Sequence, residues 1–291
     1  VIPFKATESP ERLLAEVLSD LGLHSGHIGI DSNMTPCDTA WFLDEALEGI
    51  RLGSATRLME RARMVKTEEE ISLLERAEHR AELALGAALS MVRPGESEVY
   101  IASRVAANMM RMGAESVDFV LLTIGENSLK YHYPPGDRIA MVGDIIHVDT
   151  GASFNSYRAD ISRNVGIRTL TDKQKDVYRR LWEVQRQIIA QIRPGRLVAD
   201  ICEDYRCAMK ELDLTPPSLH VGHGIGLDSH EFPELTSDCE VEIEPGMVLA
   251  IEPTTFIDDD ARYDIEDTVV VTEDGCRMLS GDRHSSDIRV V

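Results

Sequence analysis

The sequence has no uninterrupted apolar run near the roughly 18 residues that a membrane-spanning helix requires. Its opening stretch, VIPFKATESPERLL, lacks the basic-then-apolar order of a secretory signal. Both absences argue against a membrane protein, and the expected location is the cytoplasm. Positive charge is scarce as well: 30 lysines and arginines stand against 51 acidic residues, a formal net charge of -21. That balance repels nucleic acid and anionic lipid, so neither is an expected partner. No CxxC pair occurs, and Cys37, Cys202, Cys207, Cys239 and Cys276 are odd in number and scattered. This excludes a zinc ribbon and a disulfide frame; the cysteines read as reduced, mostly buried thiols, none of them marked as a nucleophile. What remains is a chain of 291 residues, 43% apolar, able to bury a substantial core as one large domain or two ordinary ones.

The chain repeats itself. Arg93-Pro94-Gly95 returns 100 residues later as Arg193-Pro194-Gly195. Before each lies a helical pattern, Thr67 to Met91 and Thr171 to Ile192, opened by a threonine suited to N-capping and carrying apolar residues at three- and four-residue steps. After each comes a second amphipathic helix, ending near Gly113 and near Leu212. Further on, Gly143-Asp-Ile-Ile-His-Val-Asp149 and Gly246-Met-Val-Leu-Ala-Ile-Glu252 are each a glycine, an apolar run and a carboxylate. Each is followed by a polar turn, TGASFNSYRA in the first case, and a second strand, ADISRNVGI or DIEDTVVVT. Each half therefore reads helix, helix, strand, strand, and a two-fold duplication predicts two halves facing each other about a pseudo-symmetry axis. Residues 1–66 lie outside the repeat: SPERLLAEVLSDLG and TAWFLDEALEGI read as helices, HIGIDS as a strand and RARMVKTEEEI as the join.

The repeat places carboxylates at equivalent positions. Asp149 ends one strand and Asp160 begins the next; Glu252 and Glu266 do the same in the second half. An acidic residue at a strand end is common, but four on a repeat-related pattern are not. Between the hairpins lies VGHGIGLDSHEF, with three glycines and two histidines in twelve residues. Four carboxylates buried together would repel by several kcal/mol unless they were protonated or cations sat among them. With one histidine they suit two divalent cations, Mn, Co or Fe, with Zn as a further option, and they lack the thiolates of structural zinc. The reaction class expected of such a centre is metal-assisted hydrolysis.

HVDTG, SYRADISR, GHGIGLDSHEFP, AIEP and DIEDTVVVT, in that order over about residues 67–291, resemble the pita-bread-fold metallopeptidases, most of all the Xaa-Pro peptidases aminopeptidase P and prolidase. The resemblance implies an α+β pita-bread (creatinase/aminopeptidase) fold of two pseudo-symmetric ααββ halves over 67–291, with a partial α/β creatinase-like domain over 1–66. That first stretch is short for the family and reads as the end of a longer domain, so a truncated start is expected. By resemblance Asp149 would chelate one metal, His223 and Glu252 the other, and Asp160 and Glu266 would bridge both, with Mn placed first and a bridging hydroxide as nucleophile. Glu252 would also accept a proton. His230 would donate to the scissile carbonyl, and His132, in the segment LKYHYPPGDR, would line the substrate site near the leaving group. His147, two residues before Asp149 and on the same strand face, reads as packing. A short peptide is the implied substrate, and a homodimer the implied assembly.

One position departs from the pattern. Xaa-Pro peptidases commonly carry an arginine two residues before the last glutamate, where it helps to hold substrate; here that place is Asp264. Either Arg262 compensates, or the substrate differs. The second option keeps open a metal-dependent non-peptidase of the same fold, a creatinase-like amidinohydrolase or a small-metabolite lyase. A binding protein with a dead site is a third reading, disfavoured by the complete ligand set.

Overall fold

In the computed structural model, which describes residues 3–5, 7–47, 49–257, 260–281 and 285–291, the chain divides into two units, Val1–Arg63 and Met64–Val291. In the first, Ser9 caps α1 (Pro10–Asp20) by accepting from Arg12 N, and Pro10 occupies the first turn, where a missing N–H costs nothing. β1 (Gly26–Ile30), α2 (Cys37–Ala46) and β2 (Ile50–Ser54) follow, and the two strands pair in parallel through the helix between them. Leu43, Leu47 and Ile50 form this unit's small core. The boundary between the units, Arg63 to Met64, falls within the stretch expected as the join, and Arg61 to Met64 end a helix, α3 (Thr56–Met64). Its residues, TRLMERARM, are mostly straight-chain types that lose little rotamer freedom in a helix, and no glycine or proline interrupts them.

In the second unit both predicted threonines are N-caps. The Thr67 hydroxyl accepts from Glu70 N while the Glu70 carboxylate accepts from Thr67 N, opening α4 (Glu68–Ser90); Thr171 and Gln174 form the same reciprocal box. Each box satisfies two backbone donors that a first helical turn leaves open. α5 (Glu98–Arg111) follows α4, and Gly95 in the turn between them takes φ 96°, a left-handed conformation that Gly195 repeats at φ 84° in the other half. Then come β3 (Ser116–Ile124), β4 (Ile145–Phe154) and β5 (Tyr157–Gly166). β3 adds to the expected pair; its apolar run has no decisive period until it pairs with β4. The turn expected to span TGASFNSYRA contracts to Asn155 and Ser156, at φ 54° and 69°, because two left-handed residues close a hairpin whose twist matches its strands.

The second half runs through α6 (Asp172–Ile189), α7 (Val198–Glu211), β6 (Gly222–Gly224), β7 (Glu231–Glu234), β8 (Val248–Ile251), β9 (Thr254–Ile257), β10 (Ala261–Asp264), β11 (Asp267–Val271) and β12 (Cys276–Met278). Its sheet order is β12-β11-β8-β6-β7, while β13 (Arg289–Val290) joins the first sheet as β13-β5-β4-β3. Each half buries its own core. Leu85, Ile101 and Met109 pack on Leu122, Val148 and Ile161; Leu181, Ile188 and Tyr205 pack on Leu249, Ile251 and Val269. Among the cysteines, all free, Cys202 and Cys239 are buried but Cys37 and Cys207 are exposed, on outward faces of α2 and α7. The reading of mostly buried thiols therefore fails for those two.

Candidate metal centre

Strand pairing decides where the carboxylates go. Asp149 stands opposite Ser162, and Asp160 opposite Gly151, so the two acids are diagonal neighbours on one face of the β4–β5 hairpin. In the other half Ile251 pairs with Asp267, so Glu252 leaves β8 beside the point where Glu266 enters β11. The β9–β10 hairpin occupies the chain between those two glutamates. The halves meet here: Glu266 N donates to Ser162 O at 3.2 Å, and Arg163 Nη1 donates to Glu266 O.

A buried amide sets the second pair. Gln185 of α6, fully enclosed, donates from Nε2 to Ile251 O at 3.1 Å and Ile265 O at 2.9 Å, the carbonyls just before Glu252 and Glu266. Replacing it by leucine removes this side-chain donor from both carbonyls. Gln185→Leu is expected to lower stability by about 1–3 kcal/mol, read as a lower midpoint in denaturant, and to weaken divalent-cation affinity. Behind Asp160, buried Glu78 accepts from Asp160 N at 3.4 Å and from the Thr268 hydroxyl at 2.7 Å, and burial raises its carboxyl to about 8.

The glycines of the histidine segment answer to space. Gly222 sits at φ 155°, and a Cβ there would lie 1.9 Å from Ala250 O, so only a bare backbone can lie against β8 at this point. That approach carries His223 into the centre. Its Nδ1 faces Gly224 O at 2.9 Å, and because a carbonyl only accepts, Nδ1 carries the proton and Nε2 keeps its lone pair. Nε2 lies 3.7 Å from Glu252 Oε1 and 3.8 Å from Glu266 Oε1. Burial, aided by His230, pushes the His223 pKa down to about 3, which keeps the imidazole in the neutral form that ligates metals. His230 stacks on His223 with ring centres 3.7 Å apart, and burial lowers its pKa too.

The acids respond oppositely. Burial first, then the charge of Asp264, lifts Asp149 to about 7. Asp160, Glu252 and Glu266 are raised well above the carboxylate range by burial and by their acidic neighbours. Asp149 Oδ1 and Asp160 Oδ1 are buried without a hydrogen-bond donor. Ligand atoms of Asp149, Asp160 and Glu266 lie within 4.8 Å of one another, as do those of Asp160, His223 and His230, so two groups share Asp160. Crowded oxygen acceptors lacking donors, beside a neutral imidazole, fit divalent cations.

The cluster opens into a cavity of about 670 Å³ that His132, His220, Tyr131 and Arg262 also line. His132 is exposed at its rim, at φ 48°. A cavity of about 740 Å³ elsewhere, beside α4 and β5, brings together no such ligand group among the described residues. At the departing position Asp264 is wholly buried and paired with Arg262 Nη2 at 2.5 Å, and Arg262 lines the cavity. His147, also buried, packs with Nε2 3.7 Å from Asp264 Oδ2.

Sequence reasoning left His220 unassigned and missed Glu234 and Gln185. His220 hydrogen-bonds Glu234 at 2.9 Å and lies 3.5 Å from Glu252. Burial would raise Glu234, but the His220 bond and the imidazoles around it outweigh that and hold it low. Gln185 carried a signal, a polar residue within the apolar stripe Leu181, Val184 and Ile188.

Two helix-backed hairpins closing carboxylates and imidazoles around one cavity define a pita-bread fold. Similar solved structures include an X-Pro aminopeptidase from Thermotoga maritima, 26% identical, with a TM-score of 0.88 over 99% of this chain and 81% of that one. A dipeptidase from Pyrococcus horikoshii, 27% identical, gives 0.90 over 100% and 81%. In sequence, 220 residues are 32% identical to the Xaa-Pro dipeptidase of Pyrococcus furiosus, covering 75% of this chain and spanning 63% of that relative's length. Residues 72–273 match metallopeptidase family M24, and the chain belongs to that family.

Proposed function

We propose that the protein is a metal-dependent exopeptidase of the Xaa-Pro aminopeptidase or dipeptidase type, acting on short peptides. The observation that carries this reading is the pair of ligand groups sharing Asp160, one of which contains both stacked imidazoles, His223 and His230. Asp149, Asp160, His223, Glu252 and Glu266 hold two divalent cations, Mn first and Co, Fe or Zn as alternatives. When bound, the cations lower the pKa of water and polarise the scissile carbonyl. The carboxylate-rich end of the cavity attracts the free amine of the substrate. His230, neutral because burial lowers its pKa, donates an N–H to the carbonyl oxygen as negative charge develops there. Glu252 accepts a proton from the attacking water, and His132 lines the leaving-group side.

With this reading go a catalytic domain over residues 67–291, a partial creatinase-like domain over 1–66, a homodimer and a cytoplasmic location. No described helix is long and apolar enough to cross a membrane. Arg262, which lines the cavity, weighs against the non-peptidase alternative, because it supplies the cation that Asp264 was taken to have removed. The test is chelation, reconstitution with each cation in turn, and assay against Xaa-Pro dipeptides and tripeptides beside small C–N substrates. Turnover confined to the small substrates would overturn the proposal.

A further inference from the structure

His230 lines the cavity, yet little in its own side chain fixes it there. Among the described residues its ring makes one hydrogen bond, between Nδ1 and the neighbouring Ser229 hydroxyl at 3.4 Å, and it stacks on His223. Its place is set by the loop that carries it, residues 226–230, between β6 and β7. Arg158 holds one side of that loop, donating from its backbone N to Gly226 O at 2.8 Å and from Nε to Leu227 O at 3.1 Å. Arg158 lies two residues before Asp160 on β5, so the loop is registered to the strand that brings a carboxylate to the centre.

Glu231 holds the other side. Its Oε1 accepts from Leu227 N at 2.7 Å and from Asp228 N at 3.1 Å. The fit is close: a Cβ on Gly226 would lie 2.7 Å from either carboxylate oxygen, so only glycine admits the group here. Oε2 accepts from Lys66 Nζ at 3.0 Å, and both side chains are nearly sealed, the lysine 2% and the glutamate 5% exposed. Lys66 is anchored in turn: its backbone N donates to Gly246 O at 2.9 Å, just ahead of β8, and its Nζ also donates to Met64 O at 3.4 Å. An ion pair taken out of water contributes little net stability beside an apolar pair of the same size. What it fixes is the direction of the carboxylate, and with it the turn before His230.

We propose that Glu231 and Lys66 are positioning residues for His230: the carboxylate shapes the 226–230 loop through its amides, and the ammonium aims the carboxylate. The proposal rests on the peptidase reading above and adds what keeps its N–H donor within reach of the scissile carbonyl. Such a donor acts only over hydrogen-bond distance, and a shift of about 1 Å costs on the order of a hundredfold in rate. His230 must meet that tolerance from a loop, without a backbone ladder of its own. A carboxylate one residue further on and a lysine 165 residues away from it in sequence supply the constraint instead.

The test replaces the pair by K66M/E231M, apolar side chains of similar size that strand neither charge, in protein loaded with Mn. Metal content is expected to stay as in the wild type, amide hydrogen exchange over residues 226–231 to quicken, and kcat on an Xaa-Pro dipeptide to fall about a hundredfold with a smaller change in KM. In a His230→Gln background the same double replacement should cost almost nothing further, because the group it positions is already gone. K66M/E231Q, which returns an oxygen to both amides, should recover most of the loss and slow the exchange again. Unchanged exchange in K66M/E231M, or a kcat loss that adds in full to that of His230→Gln, would overturn the proposal and leave the pair as core packing. Absence of Xaa-Pro hydrolysis by the wild type would instead sink the peptidase reading, and the exchange comparison would still decide whether the pair holds the loop.

Discussion

Peptide hydrolysis is expected to fall by at least about a thousandfold when divalent cations are stripped from the protein, and to return on adding Mn. In Asp160→Ala it should not return, because Asp160 is the carboxylate common to both groups that could hold a cation. Stability should respond as well, with a sign fixed by the carboxylates. Their folded pKa values are raised, Asp149 to about 7. In cation-free protein the folded state therefore keeps protons that the unfolded chain releases from about pH 4 upward. Stability is full below that value, declines as the pH rises toward 7, and for Asp149 levels off above it. For Asp149 alone, a rise from 3.8 to about 7 amounts to roughly 4 kcal/mol. Cations offset this repulsion, so the gain in Tm on adding Mn should be larger at pH 8 than at pH 5. Calorimetric scans with and without chelator measure it, and an equal gain at both pH values would count against a carboxylate-held cation.

The two stacked imidazoles should separate by phenotype although their rings lie 3.7 Å apart. His223→Gln is expected to lose metal, since its Nε2 faces Glu252 and Glu266 from a site only 1% exposed. His230→Gln is expected to keep both cations and lose about a hundredfold to a thousandfold in kcat with a smaller change in KM, the pattern for a group that acts as charge develops. Metal analysis by mass spectrometry beside steady-state kinetics decides between them. Loss of metal in both variants would make His230 a ligand.

Much of this was legible in the residue order. Thr67 and Thr171 announce helix starts because capping is local: the hydroxyl and the acceptor three residues on belong to the same turn. Asp149, Asp160, Glu252 and Glu266 stood out because a duplicated strand pattern ends or begins at each of them. The glycines around His223 stood out by their number, and one of them, Gly222, lies against the carbonyl of Ala250.

What the residue order could not decide lies across the fold. Residues 262 and 264 share one face of a strand, and alternation alone cannot say which reaches solvent and which turns inward. Arg262 reaches the cavity while the shorter Asp264 stays buried, and Asn164 and His147, about 100 residues away, hold that choice. Gln185 likewise matters only because α6 crosses the two strands whose carbonyls it ties. The sequence by itself determined the helix caps, the α+β plan of two like halves and the acids and imidazoles available to a centre, because these follow from local pattern and its repetition. Only the tertiary structure decided which charge reaches the cavity and which stays inside, because that depends on side-chain reach and on partners brought near by folding.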